Sequence, residues 1–271
     1  MATIRLTMAQ ALVRYLCAQS TEIDGEEHSL FAGIWAIFGH GNVAGLGEAL
    51  YAVRDRLPTL RAHNEQAMAH AAIAFAKAHR RRRIMACTSS IGPGATNMVT
   101  AAAVAHANRL PVLLLPGDIF ASRRPDPVLQ QIEAFADPTV SANDCLRPVS
   151  RLWDRITRPE QILASLPQAM RVLTDPAECG PVTLALPQDV QAEAFDYPAE
   201  FFAPRCWQVR RPPPDPVELA AAAAVLREAR APLIIAGGGV HYGGACEALA
   251  GFAGRRDARR VYDAARADRR G

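Results

Sequence analysis

Thr59-Leu60-Arg61-Ala62-His63-Asn64-Glu65-Gln66-Ala67-Met68-Ala69-His70-Ala71-Ala72-Ile73-Ala74-Phe75-Ala76-Lys77-Ala78 leads to Arg83-Ile84-Met85-Ala86-Cys87 and then to Thr88-Ser89-Ser90-Ile91-Gly92-Pro93-Gly94-Ala95-Thr96-Asn97. The stretch reads as a short strand at 59–61, a small-residue helix opened by Glu65 and running over 66–78, a strand at 83–87 and a glycine-proline-glycine turn. A helix over 95–107 and a strand at 111–115 follow. Strands alternating with helices of about ten to fifteen residues imply a parallel sheet covered on both faces. A carboxylate in the first turn of a helix complements the macrodipole, which accounts for most glutamates so placed. Glu65 also stands one βα unit ahead of a glycine-rich turn, and that marks it as a candidate ligand handle.

The same alternation extends outward. Apolar residues recur at helical spacing over 6–19, and 30–38 is an almost wholly apolar run ending at Gly39, suited to a buried parallel strand. Helices are expected at 43–55 and 159–173, and a last strand at 181–186. The expected fold is therefore α/β, a parallel sheet with helices on both faces, in a domain spanning 1–190. Residues 191–216 carry Pro198, Pro204, Pro212, Pro213, Pro214 and Pro216, which fit neither a helix interior nor a central ladder, so they read as a linker. A second, incomplete α/β domain is expected over 217–253, with a helix at 217–229, a strand at 232–236 and the turn Gly237-Gly238-Gly239. Residues 254–271 change to Gly, Arg, Asp and Ala and read as an aberrant tail, such as a frameshifted read-through.

Half of the 271 residues are hydrophobic, enough for a sizeable core. The formal charge is +3, but seven arginines lie in 254–271, and without them no basic excess remains to suggest nucleic acid. The cysteines Cys17, Cys87, Cys145, Cys179, Cys206 and Cys246 form no Cys-x-x-Cys pair and read as reduced core thiols of a cytoplasmic protein. No apolar run is long enough for a membrane span. There is no Gly-x-Ser-x-Gly elbow, no His-Glu-x-x-His and no phosphate-loop lysine beside Gly92 and Gly94. The triple glycine at 237–239 lacks the spaced third glycine and the acidic residue of a dinucleotide site.

The run from 60 to 116 resembles the pyrimidine-binding domain of thiamine diphosphate enzymes, in the acetohydroxyacid synthase-like group. That group has a Glu-Gln pair opening an alanine-rich helix, a Thr-Ser-Gly-Pro-Gly-Ala-Thr-Asn turn opening the next, and a hydrophobic strand after it. The resemblance implies thiamine diphosphate as cofactor, with the Glu65 carboxyl as the catalytic group on its aminopyrimidine ring and Gln66 as a further cofactor contact. In the group the loop after the first strand faces the reacting carbon. Here it reads Phe38-Gly39-His40-Gly41-Asn42, so His40 and Asn42 are candidates to face substrate, together with Gly92 and Asn97 of the second turn. Capping of the next helix is the structural alternative for Asn42. This chain departs from the group by inserting Ser90-Ile91 before the Gly-Pro-Gly.

The strings 30–47 and 115–127 narrow the resemblance to the branch that opens a cyclic 1,2-diketone made from myo-inositol to 5-deoxyglucuronate. It implies a small polyol-derived substrate and adds Arg123 and Arg124 as polar candidates. In such enzymes Mg²⁺ is held by a Gly-Asp-Gly motif in a later domain, and the site lies between subunits of a homodimer or homotetramer. No Gly-Asp-Gly occurs here, the nearest string being Gly117-Asp118-Ile119, so no metal ligands are expected in this chain and a truncated, inactive form is expected. Two other readings stay open: an acetolactate synthase-like enzyme joining 2-oxo acids, and a non-enzymatic fragment.

Overall fold

The computed structural model describes residues 2–134, 136–255 and 259–262. The chain forms two compact units, Met1–Val209 and Arg210–Gly271. The first opens with β1 (Thr3–Thr7) and α1 (Met8–Cys17). Thr7 Oγ1 accepts from Gln10 N at 3.2 Å while Gln10 Oε1 accepts from Thr7 N at 3.0 Å, so a capping box starts the helix. The helix expected over 6–19 is thus shorter, because Thr7 is its cap and Leu6 belongs to a strand. After β2 (Gln19–Ile23) and β3 (Glu26–Ser29) come β4 (Phe31–Ala36), a π-helical turn at Val43–Gly47 continuing into α2 (Glu48–Ala52), and β5 (Thr59–Arg61).

Next come α3 (Glu65–Ala78), β6 (Ile84–Ser89), α4 (Pro93–Thr96), α5 (Val99–Asn108) and β7 (Val112–Asp118). Asn64 caps α3 by accepting from Ala67 N at 2.9 Å. The expected helix over 95–107 is divided: α4 ends at Thr96 and α5 starts at Val99. β8 (Leu152–Arg155), α6 (Ile162–Leu173), β9 (Pro181–Pro187) and α7 (Gln188–Ala192) complete the main layer.

The sheet has six strands in the order β5-β4-β6-β7-β9-β8, all parallel. Every residue of β6, β7 and β9 is buried, as the continuous apolar runs require of central parallel strands. One face, with Ile84, Ala86, Leu113, Leu115 and Val182, packs in a cluster with residues of α1, α2 and α6. On the other face Cys87 Sγ reaches Met68 O of α3 at 3.9 Å. The chain leaves β4 toward β5 on one side and β6 lies on the other, so β4 and β6 flank the topological switch point where open α/β sheets place ligands.

The segment read as a linker from residue 191 is ordered up to 207. β10 (Ala194–Pro198) pairs antiparallel with β1, and β11 (Arg205–Trp207) pairs parallel with β2. Both lie at the edges of small sheets, where a strand readily tolerates proline. Tyr197 between Pro159 and Phe202 is fully buried and donates to Pro159 O at 2.9 Å. The cysteines are free thiols, but Cys145 and Cys206 are exposed and so are not core residues.

The second unit contains α8 (Pro216–Glu228), capped by Asp215, then β12 (Leu233–Ala236), α9 (Gly238–Tyr242), α10 (Cys246–Arg255) and β13 (Arg259–Tyr262). β12 and β13 pair in parallel. Part of the segment read as an aberrant tail, 254–271, is in a strand; residues 256–258 and 263–271 of it lie outside the described residues. Among the described residues no helix is long and apolar enough to cross a membrane.

Candidate active site

Four loops meet at the carboxyl edge of β4, β5, β6 and β7, and glycines let them approach. A Cβ on Gly39 would lie 2.5 Å from Ser90 Oγ, one on Gly41 2.4 Å from Ile91 Cγ2, and one on Gly117 2.7 Å from Gly41 O. Gly92 has φ +59°, and a Cβ there would meet Gln130 O at 2.3 Å. Only glycine satisfies both the backbone conformation and the contact. Ile91 is 1% exposed and fills the room that Gly41 and Gly117 leave.

Glu65 stands at the first position of α3, half-buried, and its Oε2 accepts from Asn97 Nδ2 at 2.9 Å. Its Oε1 faces Gly94, where an added Cβ would come within 3.2 Å. One carboxylate oxygen is therefore tethered and the other opens onto bare backbone. Asn97, a candidate to face substrate, instead addresses Glu65. Gln66 follows on the same turn, also half-buried, with its carbonyl 2.8 Å from His70 Nδ1.

The loop after β4 is held from within. Asn42 is 1% exposed; its Oδ1 accepts from Gly39 N at 2.9 Å and its Nδ2 donates to Ile37 O at 3.2 Å and to Thr88 Oγ1 at 3.0 Å. It makes no side-chain cap to the next helix. Asn42 thus shapes the loop, and neither of the two roles weighed for it describes its contacts. Gln191 Nε2 donates to Gly41 O at 2.7 Å and to Leu186 O at 2.8 Å, and Gln191 Oε1 accepts from Leu46 N at 3.1 Å. Sequence reasoning missed Gln191, placed in the supposed linker, because its partners lie up to 150 residues away. His40 differs from these: its Nε2 is buried and has no hydrogen-bond partner.

The loop after β7 is anchored by Asp189, which accepts from Ala121 N at 2.9 Å and Ser122 N at 3.0 Å. Burial raises the Asp189 pKa, but these donations outweigh it and the carboxyl lies below its ordinary value. Arg123 and Arg124 are exposed, and Arg123 lines a shallow cavity with Asp126, Gln131 and Glu133. Asp118 is 1% exposed and accepts from Ser141 Oγ at 2.7 Å, Ile119 N at 2.8 Å and Arg155 Nε at 2.7 Å. Burial pushes its carboxyl up, opposed by Arg155. Its oxygens are used within the fold, which leaves Gly117-Asp118-Ile119 a structural element. Among the described residues no group of three or more His, Cys, Asp or Glu could hold a metal ion.

A tethered carboxylate with one open oxygen, bordered by glycine backbone and unpartnered buried polar atoms, fits the pyrimidine end of thiamine diphosphate. Residues 33–137 match the family model described as thiamine pyrophosphate enzyme, N-terminal TPP binding domain. Over these residues the chain is similar to the N-terminal domain of the thiamine pyrophosphate enzymes. Within that class it is similar to the 3D-(3,5/4)-trihydroxycyclohexane-1,2-dione hydrolase of Bacillus cereus (strain AH820), 54% identical over 253 residues, covering 93% of this chain and 39% of the relative. The corresponding hydrolase of Geobacillus thermodenitrificans (strain NG80-2) is 54% identical over 93% of this chain and 40% of its own length, and that of Clostridium tetani is 52% identical over 93% and 39%. The chain thus spans about two fifths of the length of these curated relatives.

Proposed function

We propose that this chain supplies the pyrimidine-binding side of a thiamine diphosphate-dependent hydrolase that opens the ring of a polyhydroxylated cyclic 1,2-diketone. The observation that carries the reading is Glu65, tethered through Oε2 to Asn97 and open at Oε1, in a chain 54% identical to hydrolases named for such a diketone. When bound, thiamine diphosphate supplies a nucleophilic carbon and an electron sink for cleavage beside a carbonyl. Glu65 would hold a proton at a pyrimidine ring nitrogen through Oε1, Gln66 would border the ring, and the loops at 38–42 and 90–97 would exclude water from it. Asn42 and Gly92 act in this reading by shaping those loops. The diphosphate and its Mg²⁺ would be held by groups outside the described residues, on a second subunit of a homodimer or homotetramer.

The test has two arms. Deuterium exchange at the reactive carbon of thiamine diphosphate should slow by about 100-fold or more in Glu65→Gln, the scale expected when an acid–base group is removed; unchanged exchange would remove Glu65 from this role. Ring opening of 3D-(3,5/4)-trihydroxycyclohexane-1,2-dione should exceed acetolactate formation from 2-oxo acid in the protein carrying this chain, and the reverse order would favour the carboligase reading.

A further inference from the structure

Two polar atoms on the loops beside the switch point are buried without a partner. Ser90 is 8% exposed and its Oγ has no hydrogen-bond partner, and the buried Nε2 of His40 has none. Leaving such groups unpaired in the interior costs free energy, so folded proteins satisfy them unless a ligand or water does so. Trp35 Nε1 and Thr59 Oγ1, within β4 and β5, are also unpartnered, but the other polar side chains of the two loops and of the end of β6 are satisfied: Asn42 uses both ends of its amide, Thr88 Oγ1 donates to Leu115 O at 2.8 Å, and Ser89 Oγ donates to Ser90 O at 3.1 Å. Ser90 and His40 lie on loops in contact, since a Cβ on Gly39, next to His40, would fall 2.5 Å from Ser90 Oγ. Ile91, buried against Gly41 and Gly117, fixes where Ser90 sits.

We propose that Ser90 Oγ and His40 Nε2 form a polar pair that binds a ring oxygen substituent of the substrate and selects hydroxylated over unsubstituted cyclic 1,2-diketones. This rests on the diketone reading above. A serine hydroxyl both donates and accepts, and a neutral imidazole nitrogen does one or the other. Together they match a hydroxyl beside a carbonyl, which also offers a donor and an acceptor. A site built to hydrogen-bond a hydroxyl rejects the analogue lacking it, because its own groups are then left unpaired.

The test is a titration of the ¹⁵N-labelled full chain with trihydroxycyclohexane-1,2-dione and, separately, with cyclohexane-1,2-dione, followed by NMR. The hydroxylated ring should shift the His40 ring and the Ser90 amide saturably and bind more tightly than the bare ring. Ser90→Ala and His40→Phe should each weaken the hydroxylated ring by about tenfold, the loss expected for one such hydrogen bond, and should bind the bare ring no more weakly than the wild type, so that the preference between the rings shrinks. Thr21→Val, which removes another unpartnered buried hydroxyl on β2, should change neither affinity. Melting curves establish that each variant folds, and either of the two site variants suffices if the other does not. Equal binding of both rings, unmoved by the variants, overturns the polar pair and leaves the diketone reading standing. Binding of neither ring to the wild-type chain overturns the polar pair, and the diketone reading falls with it only if ring opening is also absent from the protein carrying this chain.

Discussion

Asn97 acts on Glu65 with an amide N–H at 2.9 Å, and this single contact decides which carboxylate oxygen is free. A hydrogen bond to a charged group contributes about 1.5–3 kcal/mol, against about half that for a neutral pair. Asn97→Ala should therefore free the carboxylate to rotate and weaken thiamine diphosphate binding by about tenfold or more in calorimetric titration. Asn97 is a positioning residue, so its effect should travel through Glu65. In a double-mutant cycle, Asn97→Ala should cost little further affinity once Glu65→Gln is present. Additive losses would mean that Asn97 meets the cofactor directly or only supports its helix. Glu65 at a helix start and Asn97 in the turn 32 positions on were both legible in the sequence. Their contact was not, because it depends on β5 and β6 ending at the same edge of the sheet.

At the scale of elements, the central strands and the edge strand β5 were readable, while β8, β10 and β11 were not. β6, β7 and β9 are apolar at consecutive positions, a pattern that only a strand covered on both faces explains. β10 and β11 escaped because prolines mark them as breakers, and their role as edge strands is set by partners near the amino terminus. The same long range hides Asp189, which ties the loop after β7 to the start of α7. Its folded pKa is depressed, so it stabilises the fold above the ordinary aspartate value of about 3.9, and the contribution is lost as pH falls through the lower folded value. Asp189→Asn turns an acceptor toward one N–H and an amide N–H toward the other. For a partly exposed group the expected loss is about 1 kcal/mol, or a Tm lower by about 2–4 °C at neutral pH. The Tm gap between wild type and variant should narrow as pH falls from the ordinary aspartate value through the lower folded value; a gap independent of pH would show that the charge on Asp189 is not what holds the loop.

Across the whole molecule, burial is distributed unevenly between the two units. The first holds the apolar core and every residue of the candidate site, from Gly39 to Gln191. In the second, α8 has no buried residue, and Val217, Val225 and Ile235 are 77%, 70% and 75% exposed. Fully burying such a side chain is worth about 1.5–3 kcal/mol, a contribution that α8 does without in this chain. Elements with few buried apolar contacts open locally at low free energy, while central strands open only with global unfolding. Hydrogen exchange should therefore run orders of magnitude faster in α8 than in β6, β7 and β9. The buried backbone amides around Thr88 and Asn42 should stay with the slow class, because their loops are tied into the sheet by Asn42, Thr88 and Gln191. If α8 and the central strands exchange together, the two units unfold as one and the site's stability depends on the second. Separate classes would mean that the Glu65 site keeps its geometry while the second unit opens.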